Sequence, residues 1–201
     1  MRPLDLPVPH PQQYRKDSLL AEQLSDDELS AALAGEPSGF SAVYTAISPA
    51  VLGYFRARGV EDAEALTQDV FVDVLPKLAR VTGGHAGLRT FIFSVAHARL
   101  VDHRRRAERT PYLAEYDPLD DARYSASAED EALGSLGGIA DTLSQLNEEQ
   151  REVLVLRIIA DLSIEQVAGI MGKSPGAIKQ LQRRGLHALR ELVLEKDHAA
   201  S

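Results

Sequence analysis

Between Lys173 and Arg190 the chain carries Lys173, Lys179, Arg183, Arg184 and Arg190 without a single acidic residue. Wound on a helix, Gly176, Lys179, Gln180, Arg183, Arg184 and His187 fall on one side. Ile178, Leu181, Gly185, Leu189 and Leu192 fall on the other. The polar side is a row of donors. Ammonium and guanidinium groups neutralise phosphates, and Arg and Gln have the paired geometry that reads base edges in a major groove. A second basic stretch, Arg99 to Arg109, holds Arg99, Arg104, Arg105, Arg106 and Arg109 against Asp102 and Glu108, with His103 beside them. A third row has the opposite character: Glu61, Glu64, Gln68 and Val72 line one stripe, with Asp69 adjacent, and offer a basic partner helix a polar face with one apolar residue in it.

These rows need helices to hold them. Ser163 with Gln166 forms a capping box, Val167, Ala168 and Ile170 give a short apolar face, and Gly172 ends the helix. Ser174 is then the N-cap and Pro175 the first helical residue, where a missing N–H is harmless. Helix, tight turn and longer helix make a helix-turn-helix, and the donor row lies on its second member. Asn147 with Gln150 caps the preceding helix, which carries Val153, Leu154, Leu156 and Ile158. Before it, Leu133, Leu136, Ala140 and Leu143 predict a further helix, weakened by Gly134, Gly137 and Gly138.

Upstream, Ser25 and Glu28 form another capping box, followed by Leu29, Ala32 and Leu33. After a break at Pro37, the residues Phe40, Val43, Tyr44, Ile47, Val51 and Phe55 recur at helical spacing, and Pro49 is expected to kink or interrupt that helix. A third helix opens near Asp62 and buries Leu66, Val70, Phe71, Val74, Leu75 and Leu78. A loop over Thr82 to Gly87 leads to a fourth, Leu88 to about Arg106, packed through Leu88, Phe91, Ile92 and Val95.

No strand alternation and no repeat is present, so the fold class is all-α: two small helical bundles joined by a flexible acidic linker, the second containing the helix-turn-helix. The boundaries read as a Pro-rich disordered arm over 1–24, a first bundle over 25–109, a linker over 110–128 and the helix-turn-helix unit over 129–197. The linker region from Glu115 to Glu131 holds seven acids and only Arg123 as a base. This explains a net charge of −8 in a chain with two basic stretches. The 44% hydrophobic content is that of a folding chain. With no cysteine, disulfides, thiolate nucleophiles and cysteine-ligated metal sites are excluded. No apolar run approaches the roughly 20 residues of a membrane span, so a cytoplasmic protein without membrane insertion is expected.

The stretches Leu146 to Leu154, Asp161 to Ala168 and Gly176 to Lys179 resemble the C-terminal promoter-binding domain of extracytoplasmic-function (ECF) sigma factors, with Asn147 where that family usually has Pro. Asp62 to Phe71 looks like the family's core-polymerase-binding helix, and Leu88 to Ala96 with Asp102 to Arg106 looks like its promoter-melting helix. The matches arrive in the family's order. The resemblance implies a non-enzymatic factor without cofactor or metal, whose partners are core RNA polymerase, promoter DNA and an anti-sigma factor, and which is a monomer when free. It implies that Glu61, Glu64, Gln68, Asp69 and Val72 meet the polymerase clamp, with Ala65 departing from the usual acid. It implies minus-ten contacts from Ala98, Arg99, Arg105, Arg106 and Arg109, and minus-thirty-five contacts from Ser174, Gly176, Lys179, Gln180, Arg183, Arg184 and His187. Ala98 stands where many members have a base-contacting Asn, which leaves the preferred minus-ten base open. Phe91 replaces a frequent Trp and reads as core. The linker is either a spacer or an acidic chain occupying a basic nucleic-acid groove. Two units on such a linker are expected to touch only weakly when free.

Two rival readings compete. A one-component helix-turn-helix regulator leaves the first two helical rows without a role and needs a dimer surface. A metal phosphohydrolase built on His97, Asp102 and His103 fails because positions 97 and 102 do not share a helix face and the neighbouring arginines repel a divalent cation.

Overall fold

The computed structural model describes residues 24–109 and 142–199, all of whose regular elements are helical. The expected arm up to residue 23, the acidic linker and all but the end of the helix expected around Leu133 lie outside the described residues, whereas Leu24, expected in the arm, packs into the core.

α1 (Asp26–Ala34) starts at the Ser25/Glu28 capping box and stops at Gly35, which takes the left-handed conformation (φ 85°) that closes the helix. The chain turns into α2 (Pro37–Ala57), with Pro37 in the first turn. The two helices meet so closely at Gly39 that a Cβ there would stand 2.1 Å from the Ala32 nitrogen. α2 runs through Pro49 instead of breaking. Pro49 and Thr45, the residue whose carbonyl loses its partner, are both exposed, so water can take the freed carbonyl. Of the apolar series in α2, Val43, Ile47, Val51 and Phe55 are buried, whereas Tyr44 is exposed and lies edge-on to Phe71 at 4.8 Å between ring centroids.

α3 (Ala63–Val74) is capped by Asp62. It is shorter than the expected helix because Pro76 turns the continuation into a 3-10 segment, Leu75–Arg80. α4 (Gly84–Arg109) begins four residues before the expected start, so part of the expected loop is its first turn. Leu24 is buried, and its carbonyl lies 2.8 Å from His85 Nε2.

In the second bundle, α5 (Glu148–Ile158) is capped by Asn147, α6 (Ile164–Met171) by the Ser163/Gln166 box, and Gly172 (φ 63°) ends α6 ahead of α7 (Pro175–Ala199). α5 is buried on more than one side: Glu152, Val153, Leu154, Val155 and Leu156 are consecutive and buried. A helix apolar all round is one with neighbours all round. α6 and α7 pack against it from its own bundle, and from the first bundle α2 packs against it while His97 and Arg104 of α4 reach Glu152 and Glu148. Ile158, expected in the core, is 61% exposed. The weak contact expected between the bundles is therefore replaced by a packed interface.

Candidate nucleic-acid and polymerase interfaces

α7 crosses α5 at Gly185, where an added Cβ would be 2.9 Å from Leu154 Cδ1. The close approach, together with Ile178 in the core, orients the helix. Its opposite side faces outward. Gly176, Lys179, Gln180, Arg183, Arg184 and His187 are all exposed, as is Ser174, whose hydroxyl accepts from the Ala177 N–H at 3.2 Å. Lys173 is half-buried and pairs with Glu149 at 2.7 Å, which withdraws it from the row. What remains is a continuous face of cationic and amide donors on the second helix of a capped helix-turn-helix.

α4 divides its basic residues differently. Ala98, Arg105 and Arg106 are exposed, and Arg109 is its last residue. Arg99 folds back on α3, its Nε donating to Asp73 Oδ2 at 2.7 Å, so this phosphate candidate is already paired within the bundle. Arg104 also turns inward, to Glu148 of α5 and to the Arg58 carbonyl at 3.3 Å. Burial and the neighbouring Arg58 charge lower its pKa. Phe91 is partly buried against the core, in keeping with its reading as a packing residue. Asp62, Ala65, Leu66, Asp69, Arg99, Asp102, His103 and Arg106 line a cleft between α3 and α4.

Glu61, in the turn before α3, is exposed, as are Gln68 and Asp69 on α3, and Val72 is 70% exposed, an unusual position for an apolar side chain on an otherwise polar stripe. Glu64 is half-buried and held by Arg56 at 2.5 Å. Tyr44, exposed on the adjoining helix, extends the apolar part of this face and was not singled out from sequence.

The sequence reading also missed the polar residues that join the bundles. Arg58 and Glu152 side chains are 2% and 3% exposed, with Arg58 Nε 2.8 Å from Glu152 Oε2. Tyr54 donates its hydroxyl to Glu152 Oε1 at 2.7 Å, and His97 Nδ1 lies 2.8 Å from the same oxygen. Burial alone would raise the pKa of the Glu152 carboxyl, but the His97 hydrogen bond and the Arg58 charge outweigh it and hold the group below its ordinary value. Burial and the Glu152 charge push the Tyr54 phenol well above its ordinary range. Arg89, its pKa lowered by burial, donates to the Ala160 carbonyl and lies over the Phe93 ring at 6.0 Å. It thereby satisfies a carbonyl just beyond the C-terminus of α5. Gln166 reaches the Ala86 carbonyl at 3.2 Å and the Thr90 hydroxyl at 2.5 Å. His97 is thus turned toward Glu152 and away from Asp102 and His103.

Among the described residues every regular element is thus helical, with a helix-turn-helix in the second bundle and an arginine-rich helix in the first. The sigma-70 region 4 model matches residues 142–191, which span the end of the segment before α5 through most of α7. The chain is 31% identical to the ECF RNA polymerase sigma factor SigD of Mycobacterium tuberculosis over 200 residues, covering 92% of this chain and 87% of that protein. It is 31% identical over 166 residues to the ECF sigma factor BldN of Streptomyces coelicolor, covering 81% of this chain and 63% of the relative. The chain belongs to the ECF RNA polymerase sigma factors. The fold is shared with CnrH, solved in complex with the cytosolic domain of CnrY, at a TM-score of 0.59 and 21% identity, covering 84% of this chain and 96% of that one. Among the described residues, no helix is long and apolar enough to cross a membrane.

Proposed function

We propose that this chain directs core RNA polymerase to promoters carrying a minus-ten and a minus-thirty-five element, and that it does so in the cytoplasm as a non-enzymatic factor without cofactor or metal. The observation that carries the reading is the exposed, acid-free donor face of α7, held on a capped helix-turn-helix. Lys179, Arg183 and Arg184 hold backbone phosphates or guanine edges, Gln180 and His187 contribute further donors, and Ser174 and Gly176 let the N-terminal end of α7 approach the duplex. Ala98, Arg105, Arg106 and Arg109 meet the minus-ten region. Arg99 supports that face through its pair with Asp73.

Glu61, Glu64, Gln68, Asp69 and Val72, joined by Tyr44, form the clamp-binding face. An acidic rim around an exposed valine suits a basic amphipathic partner helix, whose charges steer encounter and whose apolar residues supply the contact. Family membership supports an anti-sigma protein as regulatory partner.

Reconstitution tests the reading. The purified full chain added to core polymerase is expected to give run-off transcripts from a promoter with both elements. Loss of transcripts is expected when either element is scrambled. Absence of transcripts across genomic promoter fragments, with core polymerase active on its own housekeeping factor, refutes it.

A further inference from the structure

Asp102 is an acid in the middle of a cationic row. On α4, Ala98, Asp102, Arg105 and Arg109 follow one another at spacings of four, three and four and fall on one stripe. Ala98, Asp102 and Arg105 are exposed, and among the described residues nothing forms a hydrogen bond or ion pair with Asp102. A DNA strand laid along this stripe therefore meets an uncompensated carboxylate beside its arginines. Two like charges a few ångströms apart in water weaken an association about fivefold.

The same residue has a second outlook. Asp102 lines the cleft between α3 and α4, with Asp62 and Asp69 on the α3 side and Arg99, His103 and Arg106 on its own helix. Two of these groups are already committed. Asp62 Oδ1 accepts from the Ala65 N–H at 3.0 Å, which caps α3, and Arg99 Nε donates at 2.7 Å to Asp73, which does not line the cleft. The carboxylates of Asp69 and Asp102, one on each wall, are exposed and unpaired among the described residues. Ala65 also lines the cleft, and its side chain ends at Cβ, so it leaves room for an incoming group. Such a cleft suits one long cationic side chain, whose ammonium or guanidinium meets both carboxylates. Asp69 already belongs to the clamp-binding face, so a basic helix lying on α3 has this cleft at its edge.

We propose that Asp102 couples polymerase binding to minus-ten recognition. A lysine or arginine of the clamp enters the cleft between Asp69 and Asp102, and by pairing with Asp102 it removes the negative charge from the DNA row of α4. The proposal rests on the sigma-factor reading and extends its clamp-binding face from α3 onto α4. In the free chain the carboxylate weakens DNA contact; in the complex it holds the clamp and no longer repels the strand. Coupling between two binding events is reciprocal, so promoter DNA also tightens the hold on the clamp. One residue thus acts with opposite sign in two binding reactions.

Asp102→Asn in the full chain keeps the shape of the side chain and removes its charge. Its affinity for core polymerase in a titration is expected to fall about tenfold. The affinity of the free variant for a short forked DNA carrying the minus-ten element, read by fluorescence anisotropy, is expected to rise about fivefold. Ala65→Leu fills the cleft without altering a charge and is expected to weaken core binding as well. Glu108→Gln removes an acid from the other flank of α4 and is expected to bind core polymerase as the wild type does. Loss of both affinities in Asp102→Asn is the mark of a purely structural residue and overturns the proposal, as does an unchanged DNA affinity. Wild-type core affinity in both Asp102→Asn and Ala65→Leu, when the wild type itself binds core polymerase and transcribes, overturns the cleft and leaves the sigma-factor reading standing. A wild-type chain that never binds core polymerase overturns the reading and the proposal together.

Discussion

Replacing Lys179, Arg183 and Arg184 with Ala tests whether the α7 face binds phosphate, because the prediction is a slope and not merely a loss. Each phosphate contact contributes about 0.9 to the dependence of log affinity on log salt, so the triple variant flattens the slope by about 2.7 if all three meet phosphates. Between about 50 and 200 mM salt, the wild type then loses roughly 40-fold more affinity than the variant does. All three side chains are exposed, and Ala is at least as good a helix former, so the thermal midpoint should hold. Fluorescence anisotropy of the full chain on a short duplex bearing the upstream element, repeated over a salt series, measures this directly. The donor face of α7 is exposed in the chain by itself, so polymerase is not needed. A variant that binds more weakly but with the wild-type slope refutes phosphate contact. Gln180→Ala serves as the contrast: slope unchanged, and about 1–3 kcal/mol of discrimination lost at one base pair if Gln180 reads a base.

Gln68→Ala with Asp69→Ala is expected to weaken core-polymerase binding in a titration while leaving the melting temperature unchanged, since both side chains are exposed. Gly39→Ala pushes a Cβ into the Ala31–Ala32 backbone and should lower stability by about 3 kcal/mol, or roughly 10 °C in calorimetry, despite the better helix propensity of Ala. Folding lowers the pKa of Glu152 from its ordinary 4.5, so its ionised form stabilises the folded chain fully above that value, and the contribution disappears as pH falls through the lower, folded pKa. The denaturant midpoint of the wild type should therefore approach that of Glu152→Gln as pH drops below about 4.5.

Helix ends were the most legible part of this sequence. Ser25 with Glu28, Asn147 with Gln150, Ser163 with Gln166, Gly172 and Ser174–Pro175 act over a few residues, and each cap forms as its spacing implies. The donor face of α7 was legible for the same reason, since a single helix sets both its period and its exposure. Pro49 misleads because the outcome depends on whether its lost partner faces water, which spacing does not reveal. Tyr44 and Ile158 fit an apolar period yet lie at edges where no neighbour covers them. The interface between the bundles was the least legible feature. Tyr54 and Arg58 meet Glu152 across more than ninety positions of chain, and Arg89 meets Ala160 across 71. The one local signal was the unbroken run Val153 to Leu156 after Glu152, too apolar for a helix with a single buried face.

That run gives the seam between the bundles a character of its own. α5 belongs to the second bundle by sequence but is buried by both, so parting the bundles brings the side of α5 that faced α2 and α4 into water. That side is an adhesive strip, at whose end Ile159 lies over Gly53 so closely that a Cβ added there would meet its side chain at 3.5 Å. Such a surface favours association with whatever large body covers it and disfavours lingering free in solution.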